Sequence, residues 1–325
     1  MHDIHNDFEI ENILEENPKR HEIINAPYNP VTGLGAVGER KKISIKDSPI
    51  GDMYLPVELI KENLFIRRLA KYGFKGYIIR FIKEVEYSEE ALNQLWIEFI
   101  KYRIIYDFEY WAYSFIFIKD KVSPKDIPFK LNRAQRRVLN KLEKLRKAGK
   151  PIKFILLKAR QWGGSTLVQI YMLWIMLVHR RNWNTVICGD VETQSRNVRA
   201  MITKALNKYP SYLLGETVKF TPFEGSSKNK VIQNTNCVVS IGSFQKPDTL
   251  RSGDISGAHL TEIGLWRATP GKKPEDLIQS ISGSIYDTAY TILGLESTAK
   301  GVGNFFHRTW QQAVKGKNNL LPIFV

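Results

Sequence analysis

Three short stretches of this 325-residue sequence carry residue types suited to phosphate chemistry. The first is Lys158-Ala159-Arg160-Gln161-Trp162-Gly163-Gly164-Ser165-Thr166, which follows the apolar run Ile155-Leu156-Leu157 and opens a helical pattern over 167–178. A strand, a glycine-bearing loop and a helix hold an anion because the loop amides and the positive end of the helix dipole face it. The same order of elements is also an ordinary strand-to-helix turn. The stretch departs from the phosphate-loop pattern G-x-x-x-x-G-K-[ST]. With Gly163 and Ser165 on that pattern, Lys158 stands at its first glycine and Gly164 at its lysine. A nucleotide site built this way needs another cation, and Arg160 and Lys158 are the nearest. The second stretch ends in Glu262, after the apolar pattern of 257–261. A carboxylate there can hold Mg²⁺, directly or through water, or orient an attacking water; it can equally cap a helix or sit in a salt bridge. The third is Ser297-Thr298, whose hydroxyls suit either sensing of a γ-phosphate or capping of the next helix.

The elements that must position these residues alternate. After the apolar strand at 155–157 and the helix over 167–178, a second buried strand is expected at 184–190 and a polar, basic helix at 194–207. Strand, helix, strand, helix predicts an α/β fold with a mostly parallel sheet and right-handed connections. Alternation about Asn234-Thr235-Asn236 predicts a β-hairpin over 231–244. Further strands are expected at 257–262 and 289–295, with helices over 274–282 and around Phe305, Phe306, Trp310 and Ala313. In open α/β sheets ligands bind beyond the carboxyl ends of the strands. All three stretches fall at such ends, and that coincidence outweighs any one of them.

Upstream, residues 1–50 read as a polar lead-in, extended or partly disordered. Residues 51–120 read as a helical region, with Ser88 as a helix start. The aromatic run over 106–118 is expected to be core. Residues 121–325 make the α/β domain. Between Lys130 and Lys150 stand nine Lys or Arg residues and one acid, Glu143: a solvated face, or one that meets DNA backbone.

A net charge of +15 makes a polyanion the first partner to consider. No apolar run reaches the roughly 18–20 residues of a membrane span, and the polar, acidic N-terminus is no secretory signal. Cys188 and Cys237 lie in apolar strand patterns and read as structural thiols of a reducing, cytoplasmic setting. The six histidines show no metal-ligand spacing.

Gln135 in FKLNRAQ, the loop KARQWGGST, the strand AHLTEIGLW and ESTAKGVGNFF occur in one order. As a set they resemble the ATPase domain of large terminase subunits, the DNA-packaging motors of tailed bacteriophages, over about residues 106–325. The resemblance implies a P-loop NTPase of the ASCE type that binds ATP and Mg²⁺. It implies that Gln135 reads the adenine edge. The Walker A loop, Lys158, Ala159, Gln161, Trp162, Gly163, Gly164, Ser165 and Thr166, would cradle the phosphates, with Ser165 on Mg²⁺. Arg160 is implied as an arginine finger in cis, ahead of Lys158. Glu262 is the implied Walker B catalytic carboxylate, polarising water and reaching the metal directly or through water. Ser297, Thr298 and Ala299 are the implied coupling motif. Implied partners are double-stranded DNA gripped by its backbone, the procapsid portal, the small terminase subunit and further copies in a ring. Arg196, Arg199 and Arg251 are the candidates for an arginine acting in trans. Assembly would take place in the host cytoplasm, with no membrane involved. Two positions depart from the family pattern: Gly164 replaces the loop lysine, and Thr261 replaces the aspartate that commonly precedes the catalytic Glu. The family's C-terminal nuclease domain is expected to lie outside 1–325, so no nuclease residues are assigned. Two other readings remain open: a basic DNA-binding module with a decayed nucleotide site, and a helicase-like ATPase outside packaging.

Overall fold

The computed structural model describes residues 28–82, 87–120, 122–247 and 254–325. The polar lead-in expected over 1–50 is described from residue 28. It carries strand β1 (Arg40–Ser44), paired antiparallel with β2 (Asp52–Pro56); residues 1–27 lie outside the described residues. Helices α1 (Val57–Glu62), α2 (Leu64–Phe81), α3 (Glu89–Tyr106) and α4 (Phe108–Phe115) follow. Ser88 starts α3 as its sequence predicts, its hydroxyl accepting the Ala91 amide at 3.1 Å. The aromatic run is core: Phe108, Tyr110, Trp111 and Phe115 on α4 are all buried.

A short ribbon, β3 (Phe117–Lys119) with β4 (Asp126–Pro128), leads into α5 (Arg133–Lys147). Then come β5 (Ile152–Leu157), α6 (Gly164–Trp174), which runs on as a π-helical turn over Ile175–His179, β6 (Thr185–Gly189) and α7 (Glu192–Leu206). β7 (Phe220–Phe223), β8 (Ser226–Ile232) and β9 (Cys237–Ser243) precede β10 (Gly257–Thr261). Last come α8 (Pro274–Gly283), β11 (Ile292–Ser297), α9 (Phe305–Val314) and β12 (Leu321–Phe324). Eight of these strands form one sheet in the order β12-β5-β11-β10-β6-β9-β8-β7. Every pair from β12 to β9 is parallel, and β8 and β7 add antiparallel at one edge. The expected α/β class and the hairpin about 234–236 are both present.

Parallel strands are covered on both faces and so are apolar on both. Ile152, Phe154 and Leu156 of β5 enter one core with Leu167, Ile170 and Trp174 of α6, while Ile155 enters the other with Leu277 of α8 and Phe306 of α9. The first core is continuous from Ile45 to Ile323 and takes in Ile66, Phe99 and Trp111 from the N-terminal helices. The 51–120 region is therefore packed into the α/β body.

The basic helix α5 uses several of its cations inside the chain. Arg136 pairs with Glu109 at 2.9 Å, Arg146 with Glu143 at 2.8 Å and Lys147 with Glu58 at 2.9 Å. Several element ends shift by a few residues from the sequence reading, and one of these shifts bears on the site. The strand expected at 289–295 runs instead from Ile292 to Ser297. Tyr290, in the left-handed region at φ 70°, interrupts the extended run at its start. At the other end, pairing of Glu296 with Leu156 and of Ser297 with Leu157 carries the strand on.

Candidate functional site

Strand β11 lies between β5, which feeds the glycine loop, and β10, which leads into Glu262. All three chemistry-bearing stretches therefore meet at one edge of the sheet. Side chains alternate between faces along a strand. Leu293 and Leu295 go to the α8–α9 core, so Glu296 and Thr298 point toward α6. The same parity puts His259 and Thr261 of β10 on the α6 side, because Ala258 and Leu260 face the other way.

Glu262 follows its strand in the left-handed region, at φ 54° and ψ 40°. For a residue with a Cβ this conformation costs about 1–2 kcal/mol. The turn aims the carboxylate back at the loop. Lys158 Nζ lies 2.8 Å from Glu262 Oε1, and Thr298 Oγ1 donates to Oε2 at 3.3 Å. The lysine is buried, its side chain 7% exposed, whereas the Glu262 side chain is 26% exposed. Arg160, placed first among the cations by resemblance, is exposed at the loop's outer edge. The structure thus brings Lys158, and not Arg160, to the carboxylate.

The loop is held from α5. Asn132 and Gln135 form a reciprocal capping box at the start of that helix. The spare amide hydrogens of both then reach the loop: Asn132 Nδ2 donates to the Trp162 carbonyl at 2.8 Å, and Gln135 Nε2 to the Gly163 carbonyl at 2.9 Å. Gly163 sits at φ 88°, where a Cβ would also meet Gln135 Nε2 at 2.7 Å. No side chain caps the start of α6, so its first amides are available to an anion. The glycine at the lysine position has a local cause. A Cβ on Gly164 would stand 2.6 Å from the Trp162 ring, so any larger residue there requires the indole to shift.

Beside the loop opens a cavity of about 570 Å³, lined among others by Phe117, Ile127, Gln135, Trp162, Thr166 and Met201. Its apolar walls and polar rim suit a planar, heteroaromatic group.

Beneath the loop lies a buried polar cluster. Glu296 is fully buried. Its Oε1 accepts from Thr261 Oγ1 at 2.8 Å and from Ser165 Oγ, and His259 Nε2 lies 3.1 Å away. His259 Nδ1 in turn meets Gln169 Nε2 of α6. Burial pushes the Glu296 carboxyl up, but His259, Lys158 and the Ser165 hydrogen bond outweigh it and hold the group down at about 2. Oε2 is buried with no hydrogen-bond partner. Sequence reasoning left Glu296 without a role because it ended the strand at Leu295. The available signal was an acid directly following the apolar run ILGL.

The remaining candidates are dispersed. Ser297 is buried and faces away from the loop; its hydroxyl accepts the Gly264 amide at 2.9 Å and donates to the Thr298 carbonyl at 2.8 Å. Ala299 is exposed. Arg196 is exposed and pairs with Glu192 at 2.7 Å. Arg199 is buried, its guanidinium donating to the Ser227 carbonyl at 2.8 Å and to that of Lys228. Arg251 lies outside the described residues. Cys188 and Cys237 are buried free thiols, as expected. Among the described residues, no group of three or more His, Cys, Asp or Glu could hold a metal by itself, and no helix is long and apolar enough to cross a membrane.

A parallel sheet with one strand between the loop strand and the glutamate strand, and both features at one carboxyl edge, defines the class: an open α/β fold with its ligand edge at the glycine loop. Within it, the fold is similar to that of large terminase subunits. The large terminase of bacteriophage HK97 is similar with a TM-score of 0.53 at 20% identity, over 67% of this chain and 42% of that one. The large terminase of a thermophilic bacteriophage gives 0.44 at 14% identity, over 59% and 44%. The N-terminal domain of the DNA packaging ATPase from bacteriophage phi29 gives 0.38 at 9% identity, over 52% and 84%. The HK97 likeness carries the assignment of fold, and the resemblance read from the motifs is matched by it. The chain spans 42% of the length of that terminase. No protein-family model and no curated protein matches the sequence.

Proposed function

We propose that this chain is the ATP-hydrolysing part of a viral DNA-packaging motor. The observation that carries the reading is the Lys158–Glu262–Thr298 constellation, at 2.8 and 3.3 Å, beside an uncapped helix start. A carboxylate at that position takes a proton from, or orients, a water attacking the terminal phosphoryl group. Lys158, already bonded to that carboxylate, moves onto the phosphate oxygens when nucleotide arrives and frees Glu262 for the water. Arg160 approaches from the solvent side as the second cation. The adenine occupies the cavity between Phe117 and Met201, with Gln135 at its inner wall. Ser165 and a buried, unpartnered carboxylate oxygen make the start of α6 fit for Mg²⁺, which would neutralise charge on the transferred phosphoryl group. Thr298 registers the change at Glu262, and Ser297 passes it to the turn after β10 through Gly264.

The wider role follows the fold likeness and the charge of +15. Lys and Arg side chains would grip double-stranded DNA by its phosphates, without reading sequence. The chain would work as a ring on the procapsid portal in the host cytoplasm, with the small terminase subunit delivering DNA. Arg196 is the exposed candidate for an arginine in trans. The intact lysine–carboxylate pair favours a working site over a decayed one.

The test is ATP turnover with procapsids and DNA. Glu262→Gln and Lys158→Ala should each lower kcat by about 10²–10⁴-fold. Rates like wild type in both would sink the assignment.

A further inference from the structure

The position before Glu262, where the family pattern has an aspartate, is Thr261 in this chain. In the sheet, Thr261 of β10 is the register partner of Glu296 of β11. We propose that Glu296 supplies the carboxylate of the divalent-metal site, transferred from β10 to the neighbouring strand, and that His259 is its positioning residue. The inference rests on the ATP-hydrolysing reading above and says which side chains hold its metal.

Two observations carry it. First, the Ser165 hydroxyl donates to Glu296 Oε1. A serine that gives its hydrogen to a carboxylate turns its lone pairs outward, the state in which it can ligate a cation. Second, Glu296 is used unevenly. Oε1 takes two hydroxyl hydrogen bonds and stands 3.1 Å from His259 Nε2, whereas Oε2 is buried with no partner. A buried carboxylate oxygen left unpaired is costly, and a hydrated Mg²⁺ at the loop would satisfy it.

Thr261 is therefore a partner to the relocated acid. Its hydroxyl donates to Glu296 at 2.8 Å; an aspartate in its place would put two carboxylates side by side. Glu262 faces Lys158 and Thr298 and is left for the water. His259 is held through its other nitrogen by Gln169 on α6, which fixes the ring beside Glu296.

The experiment titrates a fluorescent ribose-labelled ATP analogue into the full chain, with Mg²⁺ and with EDTA, and counts bound Mn²⁺ by EPR. In wild type, Mg²⁺ should tighten nucleotide binding. Glu296→Gln should weaken metal affinity of the nucleotide complex by at least about 10–100-fold, the range that loss of an outer-shell partner alone produces, while affinity in EDTA stays within about twofold. Thr261→Asp/Glu296→Gln, which returns the acid to β10, should recover most of the metal effect. His259→Ala should weaken it partially, and Glu262→Gln should leave it intact. A folded Glu296→Gln chain with wild-type metal affinity overturns the proposal. Should that variant not fold, the unmutated protein decides. Fe²⁺ in the metal site, with nucleotide and ascorbate, should cut the backbone at 164–166 and 295–297. Cuts confined to the Glu262 turn would overturn it. If wild type binds no nucleotide under either condition, the ATP-hydrolysing reading itself fails, a result distinct from both.

Discussion

At the scale of single residues, the loop shows how one large side chain changes what its neighbours can be. Trp162 lies over Gly164 so closely that even a methyl group would stand at 2.6 Å from its ring. A side chain at 164 therefore requires the indole to move, and the buried cation of this edge is Lys158, at the end of β5. Restoring the usual pattern should then fail. Gly164→Lys is expected to lower stability by about 1–3 kcal/mol through overpacking and to weaken nucleotide binding. Thermal melting and a nucleotide titration check both parts; a tighter-binding, equally stable variant would show that the indole moves aside. Two residues with positive φ, Gln161 at 60° and Glu262 at 54°, lie at this same edge. Strained residues of this kind cluster at active sites, ligand clamps and switch regions.

At the scale of elements, helix α5 couples the cap of its own start to the shape of the loop. Gln135 closes the capping box with Asn132 and holds the Gly163 carbonyl at 2.9 Å. Gln135→Ala should lose about 1 kcal/mol of cap stability and also loosen the loop, so nucleotide affinity falls beyond what the stability change explains. Urea unfolding together with a binding titration separates the two; unchanged affinity would assign Gln135 to the helix alone. Strand β11 teaches the complementary lesson. Two more residues of pairing with β5 turn Glu296 from a loop residue into a buried one. No pattern in ILGLEST distinguishes the two ends, because a strand stops where its neighbour stops.

At the scale of the whole molecule, the N-terminal hairpin and helices are tied to each other by a buried charge cluster. Asp107 accepts from Arg40 at 2.8 and 2.9 Å and from Arg103 at 3.0 Å, and it also caps α4 by accepting the Tyr110 amide at 3.3 Å. Burial pushes its carboxyl up, but the two guanidiniums outweigh this and hold it at about 2. The unfolded carboxyl titrates near its ordinary value of about 3.9. The folded value is the lower one, so the unfolded chain takes up the proton first. The stabilisation is full above about pH 4–5 and is lost as pH falls toward 2, by about 2–3 kcal/mol. Asp107→Asn should remove that acid limb and cost about 3–5 kcal/mol at neutral pH, because two buried arginines lose their counter-charge. Urea midpoints at pH 7 and pH 3, wild type against variant, check the sign and size. A variant as stable as wild type at pH 7 would mean that the cluster is relaxed by water.

By itself the sequence determined the α/β class, the parallel strands, the glycine loop at a helix start and the carboxyl-edge positions of Glu262 and Thr298. Each of these follows from local periodicity and turn chemistry, which act over a few residues. Tertiary structure decided what those parts touch. In a parallel sheet, strand neighbours are separated by long crossovers, so β11 comes between β5 and β10 although it follows both in the chain. That placement, with the two-residue parity of a strand, sets Glu296 under Ser165, aims Ser297 away from the loop and leaves Thr298 beside Glu262. The choice of Lys158 over Arg160 was likewise beyond the sequence: the two stand two residues apart in one loop, and only the position of Glu262 across the sheet tells them apart.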